Sequence, residues 1–264
     1  MIRLVGPRLS SLFWEQVEGW GIFGTKLYAQ ARIYGLWDGP VEVWLLMAED
    51  RPVGAVSRLE GAFCVAAQPD APLEELAEFV SLAGGRCLEG PQPLVQRLAE
   101  TVGGRLESSW ILRAGRLPLS QLCERTGESQ PCRAQQLDPV RQLHALATPG
   151  FPRGEEADAW LVDASYRHRH GYADFYIQNK NSEVISTICI LFKGASRCIL
   201  GAMATHPAHR GRGYGGQMVR HALLEAAGQG LEPWLFTADD PLLDFYQPLG
   251  FAPEGRWGRL WFPH

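Results

Sequence analysis

Hydrophobic positions along this chain follow two periods, and the order in which those periods appear repeats once. Residues 10 to 36 are rich in aromatic and aliphatic side chains and predict helix. The pattern then turns to strands: Val41 to Ala48, a turn at Glu49-Asp50-Arg51-Pro52, Val53 to Leu59, and Phe63 to Ala67 after Gly61. Leu73, Leu76, Ala77 and Val80 recur at helical spacing. Arg86 to Glu89 reads as a short strand. Leu94, Val95, Leu98 and Val102 mark another helix closed by Gly103-Gly104, and Leu106 to Arg113 reads as a strand.

Residues 114 to 130 carry glycine, proline, serine and charges without a clear period, the composition of a linker. The pattern then starts again. A strand is expected near Cys132 to Leu137. Asp138-Pro139 supplies a capping residue and a proline suited to a first helical turn. Helices over 139–147 and 155–168 precede three strands, Ala173 to Gln178, Glu183 to Phe192 and Cys198 to Thr205. A helix over 214–227 gathers Met218, Val219, Ala222, Leu223 and Ala226 on one face. A strand at Trp234 to Thr237, a helix after Asp240-Pro241, and two strands near Phe251 to Trp257 and Arg259 to Phe262 complete the chain. Each half therefore reads helix, three strands, helix, strand, helix, strand. Two local matches support a duplication: Ala66-Ala67-Gln68-Pro69 with Ala204-Thr205-His206-Pro207, and Pro93-Leu94 before Gly103 with Pro241-Leu242 before Gly250. Domains of about 1–125 and 126–264 are expected.

Composition narrows the function classes. With 264 residues, 46% of them hydrophobic, the chain can bury one large core or two modest ones. A net charge of −4 argues against a phosphate-backbone binder, so no nucleic-acid partner is expected. No apolar run approaches the ~18 residues that span a bilayer, and Met1 to Val5 runs into Gly6-Pro7-Arg8 rather than a secretory pattern. The six cysteines form no C-x-x-C pair. Reduced thiols in a cytoplasmic protein are the expectation, with no metal.

The most informative segment runs from Thr205 to Gly216, Thr-His-Pro-Ala-His-Arg-Gly-Arg-Gly-Tyr-Gly-Gly, between an apolar strand and an amphipathic helix. Glycine lets a backbone turn tightly and approach an anion closely. The amides of a first helical turn point at such an anion with the helix dipole behind them. Arg210 and Arg212 add charge, and a pyrophosphate fits this chemistry. No Gly-Lys-Ser/Thr follows, and the glycine spacing is not that of a dinucleotide-binding fingerprint.

On these residues the chain resembles the GNAT superfamily of acyl-CoA N-acyltransferases, whose hallmark is Gln/Arg-x-x-Gly-x-Gly/Ala. Arg210, Gly213 and Gly215 fall on its three positions, with Thr205 and Pro207 ahead of them. A second block, a strand followed by a helix ending Tyr-x-x-x-Gly-Phe, reads Trp234 through Tyr246 to Gly250-Phe251. The resemblance implies an α/β fold of two GNAT-like domains, each a mostly antiparallel sheet with a parallel central splay, flanked by helices. It implies acetyl-CoA as cosubstrate, held by Met203, Ala204, Thr205, Arg210, Gly211, Arg212, Gly213, Tyr214, Gly215, Gly216 and Asp239. A backbone N–H within Met203 to Thr205 would hold the acyl carbonyl oxygen, and Tyr246 would protonate the leaving thiolate. There are departures: Asp239 stands where the family has asparagine, and residues 197 to 205 carry no carboxylate to act as base. The first half has Asp70-Ala71-Pro72 after Gln68-Pro69 and no arginine–glycine cluster, so it resembles a degenerate copy without a cofactor loop.

The expected reaction is transfer of an acetyl group to a primary amine of a small molecule or peptide, by a monomer or homodimer. Alternatives are a non-catalytic acyl-CoA-binding sensor or scaffold module, favoured by the missing strand carboxylate, and a tandem aminoacyl or thiol acyltransferase. Asp174, Tyr176 and Glu183 are candidates to recognise a cationic amine or act as base, and strand polarity explains them equally well. Arg167-His168-Arg169-His170 borders the family's acceptor region, and it fits a charged helix end better than a metal site, since histidines at i and i+2 do not face each other on a helix.

Overall fold

The computed structural model describes residues 1–37, 39–115, 129–237 and 239–263. The expected linker and Cys123 fall largely or wholly on 116–128, outside the described residues. The chain divides into two compact units. One comprises Met1–Leu112, Phe236–Leu242 and Pro253–His264; the other comprises Arg113–Leu235 and Leu243–Ala252. Two C-terminal segments, Phe236–Leu242 and Pro253–His264, therefore group with the first unit.

In the first unit, β1 (Ile2–Leu4) leads to α1 (Ser10–Gln16), a 3-10 turn (Val17–Trp20) and α2 (Gly21–Tyr34). The single helix expected over 10–36 is thus interrupted, and Gly21 takes φ 76° at the break. Strands β2 (Glu42–Ala48), β3 (Arg51–Leu59) and β4 (Ala62–Ala67) follow, then α3 (Leu73–Ala83), β5 (Cys87–Pro91), α4 (Gln92–Val102) and β6 (Arg105–Ala114). The apolar faces expected for the two helices are the ones buried: Leu76, Ala77 and Val80 of α3 and Leu94, Val95 and Leu98 of α4 pack with Val56, Phe63, Val65 and Leu88. β1 is too short to show a period in the sequence and exists through its antiparallel pairing with β2.

In the second unit, β7 is only Cys132–Arg133. The longer strand expected there stops because Ala134 and Leu137 turn into the core. Next come α5 (Asp138–Ala147), α6 (Glu155–Arg169), β8 (Asp174–Lys180), β9 (Glu183–Lys193), β10 (Arg197–Thr205), α7 (Tyr214–Gly228), β11 (Glu232–Phe236) and α8 (Leu242–Tyr246). Pro139 sits in the first turn of α5 as expected, but Asp138 lies inside that turn and makes no side-chain cap bond. Its carboxylate instead accepts from Arg141 and Gln142.

The last strand, β12 (Phe251–Trp261), is continuous where two strands were expected. Gly258 does not mark a turn. It lies opposite Gly90 of β5, and a Cβ there would stand 3.2 Å from Val95 Cβ, so this glycine serves the close packing of α4 on the strand.

Each unit mixes antiparallel and parallel pairing. The first has the strand order β1-β2-β3-β4-β5-β12-β6, with β4 and β5 parallel. The second has β11-β10-β9-β8-β7, with β10 and β11 parallel. Helices flank both sheets. This is the mixed α/β class expected from the sequence, with the element order of one half repeated in the other.

Candidate active site

The Thr205–Gly216 segment leaves the end of β10, makes a 3-10 turn at Pro207–His209, and enters α7 at Tyr214. Gly211 has φ 71° and Gly213 has φ 83°. Both lie in the left-handed region that side-chain-bearing residues avoid, and Gly213 is the residue immediately before the helix. A Cβ at either position would meet nothing within 4 Å, so the two glycines are required by backbone conformation and border open space. The first helical bond of α7 runs from Gln217 N–H to Gly213 O. The amides of Tyr214, Gly215 and Gly216 therefore precede the helical ladder. The first turn of α7 carries no acidic residue. Together these features make a cradle suited to a phosphate-bearing ligand.

The two arginines expected to add charge play different parts. Arg210 donates from Nε to Thr205 O at 3.2 Å and from Nη2 to Ala147 O at 2.8 Å. It thus braces the loop against the C-terminal turn of α5, where helix carbonyls lack partners. Arg212 is exposed at the tip of the loop. Tyr214 packs edge-on to His209 at 6.0 Å.

At the other end of the segment, β10 is not a regular strand. It pairs with β11 only from Arg197 to Leu200, so Gly201 to Thr205 extend past that pairing. Its ladder with β9 is shifted between Gly201 and Ala204, leaving Ala202 and Met203 without register partners. Ala202 takes φ 47°, a strained conformation for a residue with a Cβ. This is a β-bulge at the stretch expected to present a backbone N–H.

Tyr246 ends α8 and is 93% buried at 7% exposure. Its ring packs edge-on against Phe245 and Phe251. Its hydroxyl points to Met203 Sδ at 3.8 Å. The structure therefore brings together the bulged strand and the tyrosine that sequence reasoning placed in one site. Burial pushes the Tyr246 phenol up to about 12, so the hydroxyl is protonated throughout the neutral range. Gly215 closes this neighbourhood: a Cβ there would lie 3.4 Å from Phe245 Cζ and 3.6 Å from Thr205 Oγ1, ordinary contacts. Asp239, the residue at the asparagine position, is exposed and belongs to the 236–242 segment of the first unit.

Two of the three candidate bases are already occupied. Asp174 is 4% exposed and faces Lys193 Nζ at 2.5 Å, Arg133 Nη2 at 3.1 Å and Gln229 Nε2 at 3.0 Å. Tyr176 donates to Glu225 at 3.3 Å. Glu183 is exposed and lies 3.8 Å from His206 Nε2. The Arg167–His170 cluster is structural in its buried half. Arg167 donates to Leu191 O and lies over the Phe192 ring. The His168 ring sits between Ala134 O at 2.7 Å and Ala173 O at 3.2 Å. Among the described residues no cluster of histidine, cysteine, aspartate or glutamate could hold a metal. The described cysteines are free, and burial pushes the thiols of Cys64 and Cys198 up to about 12, which keeps them from acting as nucleophiles.

Sequence reasoning missed His144. It lies on the buried face of α5, with Nε2 3.2 Å from Ala202 O, the bulged residue, and Nδ1 2.9 Å from Thr148 Oγ1. Its ring stacks on Phe151 and meets Trp160 edge-on. A single histidine within an apolar helical stripe carries no local signal, because its partner is 58 residues away.

Residues 138–251 match the model of the acetyltransferase (GNAT) family. No curated protein sequence matches the chain. Solved structures match it over nearly its full length. A GNAT-family acetyltransferase from Colwellia psychrerythraea superposes with a TM-score of 0.62 at 16% identity, covering 100% of both chains. A tandem GNAT protein from the clavulanic acid biosynthesis pathway gives 0.63 at 10% identity, covering 98% of this chain and 97% of that one. A GCN5-related N-acetyltransferase from Kribbella flavida gives 0.59 at 16% identity, covering 92% and 95%. At such identities the likeness concerns the fold. Among the described residues no helix is long and apolar enough to cross a membrane.

Proposed function

From a chain that repeats the GNAT fold and carries a GNAT-family acetyltransferase domain in its second half, we propose an acetyl-CoA-dependent N-acetyltransferase acting on a primary amine of a small molecule or peptide. The observation that carries this reading is the proximity of the Tyr246 hydroxyl to Met203 on a bulged strand that runs directly into a glycine cradle. Residues 126–264 would supply the acetyl-CoA site, and residues 1–125 would be a degenerate copy without one. The described cysteines are all free, in keeping with a reducing, cytoplasmic setting.

Acetyl-CoA supplies an acyl carbonyl activated as a thioester. The amides of Gly211 to Gly216, with Arg212 beside them and Arg210 bracing the loop, would bind the pyrophosphate. The backbone N–H groups of Met203 to Thr205 would stabilise negative charge developing on the carbonyl oxygen, a fixed donor in a dry site. The amine attacks only in its neutral form, so its proton must leave to water or a base before or during attack. Tyr246 would return a proton to the departing sulfur. With the phenol near 12 and a free thiol near 8.5, that transfer is uphill unless the site stabilises phenolate or water relays the proton. The occupied state of Asp174 and Tyr176 leaves this chain's base unassigned and favours solvent for that role.

The test is CoA release measured with acetyl-CoA against a panel of polyamines, aminoglycosides, amino acids and peptides. Amine-dependent release by the intact chain is expected for at least one class. Tight acetyl-CoA binding with no release for any amine would instead support a binding module, and no binding would defeat both readings.

A further inference from the structure

We infer that His144 is a positioning residue that aims the Met203 N–H at the acyl carbonyl by holding the Ala202 carbonyl from the opposite side. The inference rests on the proposed acetyl-CoA site. It assigns a role to a residue outside the loop and outside the tyrosine helix.

Ala202 C=O and Met203 N–H are the two ends of one peptide unit, which is planar and trans, so they point in opposite directions. In a regular ladder both would be fixed by neighbouring strands. Here the regular pairing is interrupted on both sides. Ala202 and Met203 have no register partners on β9, and the pairing with β11 has ended at Leu200. The peptide lies off the regular register, and the positive φ at Ala202 costs on the order of 1–3 kcal/mol unless the surroundings hold it. A holding contact comes from His144 Nε2, 3.2 Å from Ala202 O. An acceptor carbonyl requires that Nε2 carry the proton. Nδ1 is then the acceptor, and Thr148 Oγ1 at 2.9 Å is the donor that satisfies it. The ring itself is fixed by stacking on Phe151, with centroids 5.3 Å apart and planes 17° apart, and by Trp160 edge-on at 5.9 Å. Burial pushes this imidazole down to about 4. It is therefore neutral when the protein works, and its one N–H is committed to the bulge. With the carbonyl end tied toward α5, the N–H end faces away from α5, free to meet a ligand oxygen.

The test separates the acyl group from the rest of the cofactor. Calorimetry would compare CoA, which lacks the carbonyl, with acetyl-CoA, using the intact chain and two variants. His144→Phe keeps a ring to stack on Phe151 and Trp160 and removes the donor. His144→Gln places an amide N–H at nearly the reach of Nε2. The Phe variant is expected to bind CoA within about twofold of the wild type and acetyl-CoA about fivefold more weakly, the loss of one neutral hydrogen bond's orientation. The Gln variant is expected to stay within about twofold for both. Equal weakening of both ligands in His144→Phe, or of neither, would overturn the role for His144 while leaving the cofactor site standing. A wild type that binds neither ligand would defeat the cofactor reading itself and this role with it. Should the Phe variant fail to fold, nitrogen-15 NMR of the wild type decides: His144 is expected as the neutral Nε2–H form down to about pH 5, and a proton on Nδ1, or titration near the ordinary value of ~6.5, would overturn the inference.

Discussion

The two halves of this chain share one topology, and they differ at the place where one of them could hold a cofactor. In the first half, the β3–β4 ladder runs unbroken from Gly54↔Ala67 to Leu59↔Ala62. In the second, the equivalent ladder is shifted around Ala202 and Met203. Beyond their parallel pairing, β4 and β5 stay close: a Cβ at Gly90 would lie 2.9 Å from Val65 O. Val65 is the counterpart of Met203 when Ala66–Pro69 is matched to Ala204–Pro207. The helices that follow differ in charge as well. α3 has Glu74 and Glu75 in its first turn, and Asp70 just before it pairs with Arg51 at 2.5 Å. Carboxylates there neutralise the helix dipole and repel an anion. α7 offers glycines and arginines instead. The first unit thus presents a regular strand and two glutamates where the second presents a bulged strand and a glycine-rich turn.

The largest effect expected belongs to the closed half. At the β4–β5–β12 junction, Glu89 bonds Lys26 and, at 3.1 Å, Arg259. Burial alone would raise the Glu89 carboxyl, but the two cations outweigh it and hold it below its usual range. Glu89→Ala removes the buried carboxylate that bonds both Lys26 and Arg259 and should cost about 4 kcal/mol, read by chemical denaturation. Acetyl-CoA affinity of the folded fraction should not change. A loss below about 1 kcal/mol would mean that this junction does not hold the first half closed.

Next in size is a pH effect confined to the open half. His144 has its folded value depressed to about 4, against ~6.5 unfolded. Its contribution is present above the unfolded value and lost as pH falls toward the folded one, because the unfolded chain takes up the proton first. Between about pH 6.5 and 4 the second unit should lose about 3 kcal/mol from this residue. His144→Phe should flatten that part of the pH–stability curve, and an unchanged curve would show that the imidazole is solvated.

Smaller in free energy is the effect of Tyr246→Phe, which keeps the packing against Phe245 and Phe251 and removes the hydroxyl near Met203. Turnover should fall about 100-fold with acetyl-CoA affinity nearly unchanged. Collapse of folding and affinity together would make Tyr246 a packing residue, and intact turnover would move the proton to water.

Most of this comparison is legible in the sequence, because it rests on local chemistry. The glycines at 211 and 213, the proline at 207 and the Tyr246–Gly250-Phe251 end of α8 are neighbours along the chain, and their spacing reports a strand–loop–helix directly. Helical faces such as Leu94-Val95-Leu98 are equally local. What the sequence hid is long-range. Gly258 looks like a turn until α4 is seen against it. The bulge at Ala202 has no compositional mark, since alanine is ordinary in strands, and the histidine that contacts it lies 58 residues earlier, with one whole helix and two strands between. The bond from Arg210 to Ala147 O is equally invisible in the sequence, since that carbonyl is 63 residues away.

The most direct measurement is calorimetric titration of the intact chain with acetyl-CoA, paired with the Gly213→Val variant. Valine has no strain-free way to adopt φ 83°, and its side chain would enter the open space of the cradle. The wild type should bind one acetyl-CoA per chain and gain ~2.7 kcal/mol of stability at about 100 times the dissociation constant, and Gly213→Val should show neither. Two equivalent sites per chain would contradict the closed state of the first half, and a binding isotherm unchanged by Gly213→Val would contradict the cradle of the second.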